Sequence, residues 1–156
     1  MATSPNAFAS LVGVDHPIVL GPFGGLSSVE LTATVSNGGG LGSFGLYGYS
    51  PERIRDTAEA LRAQTDSPFA LNLWLPIPGE EEPVVSDDEF ERYLAPLRPY
   101  FDELGVAHPV RPARYVPDVE EQVAAVLEVA PAVISVVFGI PSSDFLDAAH
   151  TRAGSR

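Results

Sequence analysis

Gly40-Leu41-Gly42-Ser43-Phe44-Gly45 reads in two incompatible ways, and the choice between them bears on the whole fold. The spelling matches the GxGxxG dinucleotide fingerprint, in which a strand hands over to a helix whose N-terminus holds a pyrophosphate. That fingerprint needs the helix to follow at once and an acid to stand on a second strand. Here the glycines lie within and after a small-residue strand, and the next helix opens only at Ser50-Pro51-Glu52. No acid fills the second-strand position, so the context argues against a nucleotide fingerprint.

Upstream of this stretch, Val29, Leu31, Ala33 and Val35 predict a helix that stops at Asn37-Gly38, with Ser27 and Glu30 at capping-box spacing. Before it, Pro17-Ile18-Val19-Leu20 is a short apolar run closed by Gly21-Pro22, the pattern of a first strand buried on both faces. Downstream, Ser50 caps a helix with proline in its first turn and Ile54, Ala58 and Leu61 on its apolar face. Phe69-Ala70-Leu71-Asn72-Leu73-Trp74 predicts a third buried strand, and the acidic loop Pro78-Gly79-Glu80-Glu81-Glu82-Pro83 is expected in solvent.

A capping box at Ser86 and Glu89 opens a helical insertion with Phe90, Leu94, Leu97 and Phe101 on one face, divided by Pro96 and Pro99. After a proline- and arginine-bearing connection, Asp118 caps a helix with Val119, Val123, Val126 and Leu127 facing inward. Residues 132–138 read as a fourth strand, broken by Gly139-Ile140-Pro141, and Ser142 caps a last helix through Phe145, Leu146 and Ala149.

The order is βαβαβαβα with a helical insertion after the third strand, which demands a parallel sheet with right-handed crossovers. A doubly wound open sheet of four strands would be complete at this length. A (β/α)8 barrel needs about 250 residues, so this chain would supply roughly its first half. Pattern alone leaves both architectures standing.

Composition narrows the partners. The 156 residues are 45% hydrophobic and 19% charged, enough for the core of one compact domain, residues 1–156. Nine basic residues, all arginine, against 21 acidic ones give a net charge of −12, a field that repels nucleic-acid phosphates and anionic membranes. The absence of cysteine excludes disulfides, thiolate metal sites and a cysteine nucleophile. The glycine-rich stretch from His16 to Pro51 lacks the aliphatic density of a bilayer span. The N-terminus lacks a basic segment followed by an apolar run, so the cytoplasm is the expected compartment.

Two features point to a site. Gly21-Pro22-Phe23-Gly24-Gly25 sits where a strand's C-terminal end meets a helix, the edge at which parallel α/β folds place ligands. Its glycines leave backbone N–H groups uncovered for a flat, electron-rich ring; equally, they suit a tight turn needing positive φ. Asn72 is a carboxamide in an apolar strand and must be paired if buried, either with a ligand's amide edge or with a neighbouring strand. His16, His108 and His150 lack an acid or histidine at ligand spacing and are expected at the surface, and the acids between Glu80 and Glu91 read as a solvated face. No metal site is expected.

Taken in order, these segments resemble the flavin-dependent nitronate monooxygenases, formerly 2-nitropropane dioxygenases, which are FMN-binding (β/α)8 TIM barrels. That family opens with a Pro-Ile strand, a Pro-Met/Phe-Gly loop, a serine-capped helix and Val-Ser-Asn-x-Gly-Gly-Leu-Gly. Pro17-Ile18 through Gly24, then Val35-Ser36-Asn37-Gly38-Gly39-Gly40-Leu41-Gly42, look like that opening. Ser50-Pro51-Glu52, Pro68 through Leu73, and Val136-Val137-Phe138-Gly139-Ile140-Pro141 follow in the family's order. Each segment is weak alone; the ordered set is fairly specific and covers nearly the whole chain.

The resemblance implies the first four βα units of an FMN-type barrel. It implies that Pro22, Phe23 and Gly24 line the isoalloxazine ring and that Asn72 hydrogen-bonds the cofactor from the end of the third strand. It implies oxidation of alkyl nitronates with O2, with Phe23 in place of a common methionine. The family's catalytic histidine, in a Gly-Gly-His segment, and its phosphate loops are expected beyond residue 156, so no catalytic residue is assigned within the chain. A half barrel would expose two sheet edges and part of its inner face, favouring marginal stability and homo-oligomers. An FMN-dependent enoyl reductase is the related alternative, and a non-catalytic half-barrel that binds or oligomerises is the alternative from another class.

Overall fold

The computed structural model describes residues 6–79, 84–115 and 117–153. In chain order the elements are α1 (Ala7–Val12), α2 (Val29–Asn37), β1 (Gly42–Gly45), α3 (Pro51–Arg62), β2 (Phe69–Leu75), α4 (Asp87–Leu94), a 3-10 turn (Ala95–Leu97), α5 (Arg98–Leu104), α6 (Val119–Val129), β3 (Val133–Phe138) and α7 (Ser143–Ala153). They form two compact units: Met1–Pro78 with Pro117–Arg156, and Gly79–Val116. No helix among the described residues is long and apolar enough to cross a membrane.

In the larger unit the three strands are parallel and lie in the order β1-β2-β3. Each new strand joins the same side of the sheet, which is single winding. A doubly wound sheet reverses direction at an interior strand, and this one has no such reversal among its described strands. Alternation then separates the faces. Phe44, Leu46, Leu71, Leu73, Ile134 and Val136 pack into one core with α3 and α6, whose Ile54, Ala58, Leu61, Ala125 and Val126 are buried there. Asn72 and Ser135, at intervening positions, meet each other instead.

The expected first strand is corrected. Pro17–Leu20 makes one parallel bridge, Val19 to Leu41, with Leu41 N–H donating to the Ile18 carbonyl (2.8 Å) and Leu20 N–H to the Leu41 carbonyl (2.9 Å). Ile18 and Val19 are exposed, not buried on both faces. The run lies at the sheet's edge, and proline at both ends removes N–H donors that a longer ladder would use. Helix α1 was not expected; Asn6 caps it by accepting from the Phe8 and Ala9 N–H groups.

Most helix signals carry over. Ser50 caps α3 and Asp118 caps α6 through side-chain oxygens, and Ser142 Oγ accepts from the Phe145 N–H at the start of α7. At α2 the cap is Ser28, one residue later than expected, accepting from Leu31 N–H. The fingerprint-like glycines have a packing role. A Cβ on Gly42 would stand 2.1 Å from the Thr32 carbonyl oxygen of α2.

Val35-Ser36-Asn37 is likewise structural. Ser36 Oγ accepts from the Gly42 N–H (3.2 Å) and donates to the Pro68 carbonyl (2.9 Å). Asn37 donates to the Gln64 carbonyl (3.0 Å) and accepts from the Thr65 hydroxyl (2.6 Å), so the end of α2 is tied to the turn before β2. Ser36 is buried, and Ser36→Ala strands two backbone groups at once. It is expected to lower unfolding stability by about 2 kcal/mol, read as a shift in the urea midpoint at unchanged m-value.

The smaller unit holds α4, the 3-10 turn and α5, divided at Pro96 and Pro99 as the prolines predict. Ser86 and Glu89 form the expected capping box, and the Ser86 backbone N–H, with its hydroxyl, holds the Glu89 carboxylate below its ordinary range. His108 does have an acidic partner, Asp102, at 2.8 Å. All three histidines are exposed. Of the acidic loop, Glu80–Pro83 lie outside the described residues.

Candidate functional site at the C-terminal ends of the strands

Gly45, Asn72 and Ser135 stand side by side across β1, β2 and β3. Adjacent strands lie about 4.8 Å apart, so the three positions form one layer. Asn72 is the fourth of seven residues in β2, in the strand's body and not at its end as expected. Its side chain is buried (4% exposed), and Nδ2 donates to Ser135 Oγ (2.9 Å). Among the described residues no protein donor reaches Asn72 Oδ1, and no buried side-chain polar atom is left unpartnered, so this oxygen opens to solvent. A hydroxyl both donates and accepts. The carboxamide can therefore turn over, keep its bond to Ser135 and present either a donor or an acceptor to the open side.

The Pro22–Gly24 segment lies over Gly45, the register partner of Asn72. A Cβ on Gly45 would be 3.1 Å from the Phe23 carbonyl oxygen and 3.3 Å from the Gly24 nitrogen. The absent side chain lets the loop backbone come down onto the sheet. Ser27, expected as a helix cap, fixes it there: Oγ accepts from the N–H groups of Gly45 (3.0 Å) and Phe23 (3.2 Å) and donates to the Phe23 carbonyl (2.9 Å). Pro22, Phe23 and Gly24 are exposed, and among the described residues the N–H groups of Gly24 and Gly25 donate to no protein acceptor. Gly25 has φ +76, as a tight turn requires.

One layer further along, three aromatic rings gather that the sequence did not single out. Tyr47 and Trp74 lie 4.1 Å apart between centroids, and Trp74 and Phe138 lie 4.9 Å apart at 77°. Gly24 borders them, its Cβ position being 3.6 Å from Trp74 Cζ2. Phe138 pairs in register with Leu75, which packs on the helix side, so alternation would send its ring away from Trp74. Its φ of 71° turns it across. A residue with a Cβ pays about 1–2 kcal/mol for that left-handed conformation.

Residues 6–154 match the family model for nitronate monooxygenase. The chain is 33% identical to a nitronate monooxygenase of Paraburkholderia phytofirmans, over 99% of this chain and 42% of the relative. It is 36% identical to a nitronate monooxygenase of Pseudomonas aeruginosa, over 89% of this chain and 39% of the relative. Among solved structures, a nitroalkane oxidase from Streptomyces ansochromogenes superposes with a TM-score of 0.73 at 24% identity, covering 95% of this chain and 40% of that one. That likeness is one of fold, to part of a (β/α)8 barrel. The chain thus spans about two fifths of the length of these proteins.

Proposed function

This chain belongs to the nitronate monooxygenase family, and from that membership we propose that it carries the flavin-ring side of an FMN-dependent monooxygenase that oxidises alkyl nitronates with O2. The supporting observation is the layer of Gly45, Asn72 and Ser135 roofed by Pro22–Gly24, which offers open polar groups beside flat surfaces. The donor set fits an isoalloxazine ring. Its carbonyls would take the free N–H groups of Gly24 and Gly25, and its mixed donor–acceptor edge would meet an Asn72 carboxamide able to present either sense. When bound, FMN supplies electron exchange with the nitronate and with O2.

The chain's own residues bind and orient. Pro22 and Phe23 give an apolar bed, Asn72 fixes the polar edge, Ser135 holds Asn72, and Ser27 holds the loop. Proton transfer is assigned to none of them. In the same proposal, residues 1–156 are a single domain, the first four βα units of the barrel, with the Val19–Leu41 bridge marking the first strand. Self-association through the exposed edges at Ile18 and Val137, and a cytoplasmic location, belong with it.

FMN titration followed by flavin fluorescence and the visible absorption bands tests the assignment. Saturable binding is expected, weakened about tenfold in Asn72→Ala, since losing one buried polar partner costs an amount of that order. Absence of binding, or equal affinity in the variant, counts against it.

A further inference from the structure

We propose that Asn37 is a covalent modification site: it deamidates through the Gly38 nitrogen when the tie between the end of α2 and the turn before β2 opens, and the acidic product keeps that tie from re-forming.

Of the asparagines Asn6, Asn37 and Asn72, only Asn37 precedes a glycine. Gly38 has no side chain to crowd its own nitrogen, so that nitrogen can reach the Asn37 carboxamide wherever the backbone is free to turn. In the reaction the Gly38 nitrogen gives its proton to hydroxide and attacks Asn37 Cγ. The new N–C bond closes a five-membered imide while the bond from Cγ to Nδ2 breaks, and the departing nitrogen takes a proton from water and leaves as ammonia. Water then opens the imide at either carbonyl, giving aspartate or isoaspartate. The sum consumes one water and releases one ammonia, and nothing is oxidised or reduced. Asn37 and Gly38 are both exposed, so water is at hand.

Folding blocks the step at both reacting atoms. The nucleophile is committed, because Asn37 is the last helical residue of α2 and the Gly38 N–H donates to the Thr34 carbonyl (3.0 Å). The electrophile is clamped: Nδ2 donates to the Gln64 carbonyl (3.0 Å) and Oδ1 accepts from the hydroxyl of buried Thr65 (2.6 Å). Cγ cannot swing towards the Gly38 nitrogen without breaking both bonds. Local opening at a helix end, which costs less than global unfolding, is the way in.

The product does not fit the clamp. A carboxylate still accepts from Thr65 but has no N–H for the Gln64 carbonyl, so two acceptors face each other. Its charge stands at the C-terminal end of α2, where the helix dipole opposes it, and α2 has no basic residue in its last turn to offset it. Isoaspartate also adds a carbon to the main chain at the cap, where the Gly38 and Gly40 N–H groups bond back to Thr34 and Val35.

The full chain is incubated near neutral pH with and without urea. Cleavage after glutamate releases residues 31–52, in which Asn37 carries the single side-chain amide, so the mass of that peptide reads the exchange of nitrogen for oxygen. Conversion is expected to be slower by about tenfold or more in the native chain than in the urea-unfolded chain. Thr65→Val is expected to raise the native rate several-fold and leave the unfolded rate unchanged, with Thr65→Ser keeping the rate of the parent. Asn37→Asp is expected to lower the urea midpoint, and the deamidated chain, separated by its added negative charge, to follow it.

Equal rates in the native and unfolded parent overturn the gate, as does an unchanged native rate in Thr65→Val. Circular dichroism establishes that this variant is folded, and the ratio of rates in the parent decides the gate independently of it. An Asn37→Asp midpoint equal to that of the parent overturns the loss of the tie.

Discussion

Gly42→Ala is expected to unfold the larger unit or leave it only partly structured. The added carbon would lie 2.1 Å from the Thr32 carbonyl oxygen, 2.6 Å from Ser36 Oγ and 2.9 Å from the Thr32 carbonyl carbon. Ordinary contact of this kind is above 3 Å, so α2 and β1 must separate by about 1 Å in a close-packed interior. Neither side can give. Thr32 is fully buried in α2, and Ser36 Oγ is already committed to the Gly42 N–H and the Pro68 carbonyl. Moving α2 therefore breaks the bond that satisfies Gly42 as well as the packing. The loss is expected near 4 kcal/mol, beyond what core overpacking usually costs and comparable to the whole stability of a small domain. Urea unfolding followed by Trp74 emission measures it; a midpoint within error of the parent would refute the packing account of this glycine. Gly21→Ala is the control for loss of a glycine as such, because nothing lies within 4 Å of its Cβ position and its φ is outside the left-handed region.

Gly139→Ala should be nearly as damaging, and its damage falls on the edge of the sheet that carries the candidate site. A Cβ there would stand 2.2 Å from the Pro76 carbonyl oxygen and 2.9 Å from Leu75 Cβ. Gly139 also donates its N–H to the Leu75 carbonyl (3.1 Å), extending the β2–β3 ladder past its last paired residues. Relief of the clash must push the chain after β3 away from Pro76, which removes that bond and releases the backbone that holds Phe138 against Trp74. A loss of about 3 kcal/mol is expected, together with a shift in Trp74 emission in the folded state. The emission change distinguishes it from Gly42→Ala, whose clash lies at the opposite end of the strand ladder. An unaltered emission spectrum with lowered stability would show that the turn and the ring are independent.

Both substitutions bear on how far the sequence could be read. Helices at Ser50, Ser86, Asp118 and Ser142 were legible because a cap and its partner lie three residues apart, within one local pattern. Strands at residues 42–45, 69–75 and 133–138 were legible for the same reason, as runs of small or apolar residues between turn signals. Pro17–Leu20 misled because an apolar run carries no record of whether a second strand will flank it. Ser27 misled because a serine before a helix has the same spelling whether it caps that helix or, as here, pins a loop to a distant strand.

The candidate site divides along the same line. Pro22, Phe23, Gly24 and Asn72 stood out because glycines at a strand end and a carboxamide in an apolar strand are locally anomalous. Ser135 did not, since a serine in a strand is unremarkable until its register partner is known to be Asn72. Tyr47 and Trp74 look like ordinary strand-end aromatics, and Phe138 looks like a residue of the helix-facing core.

By itself, then, the sequence determined the alternation of elements, their caps, the net charge of −12, and the ordered motifs of the nitronate monooxygenase family. The tertiary structure alone decided that the glycines of residues 40–45 make room for α2 and for the Phe23 loop, that Ser135 holds Asn72, and that Phe138 faces Trp74. The reason is the range of the forces. Caps and periodicities are set by neighbours a few residues away. Close backbone approach, cross-strand register and an enforced left-handed φ arise only when segments distant in the chain compete for the same few ångströms.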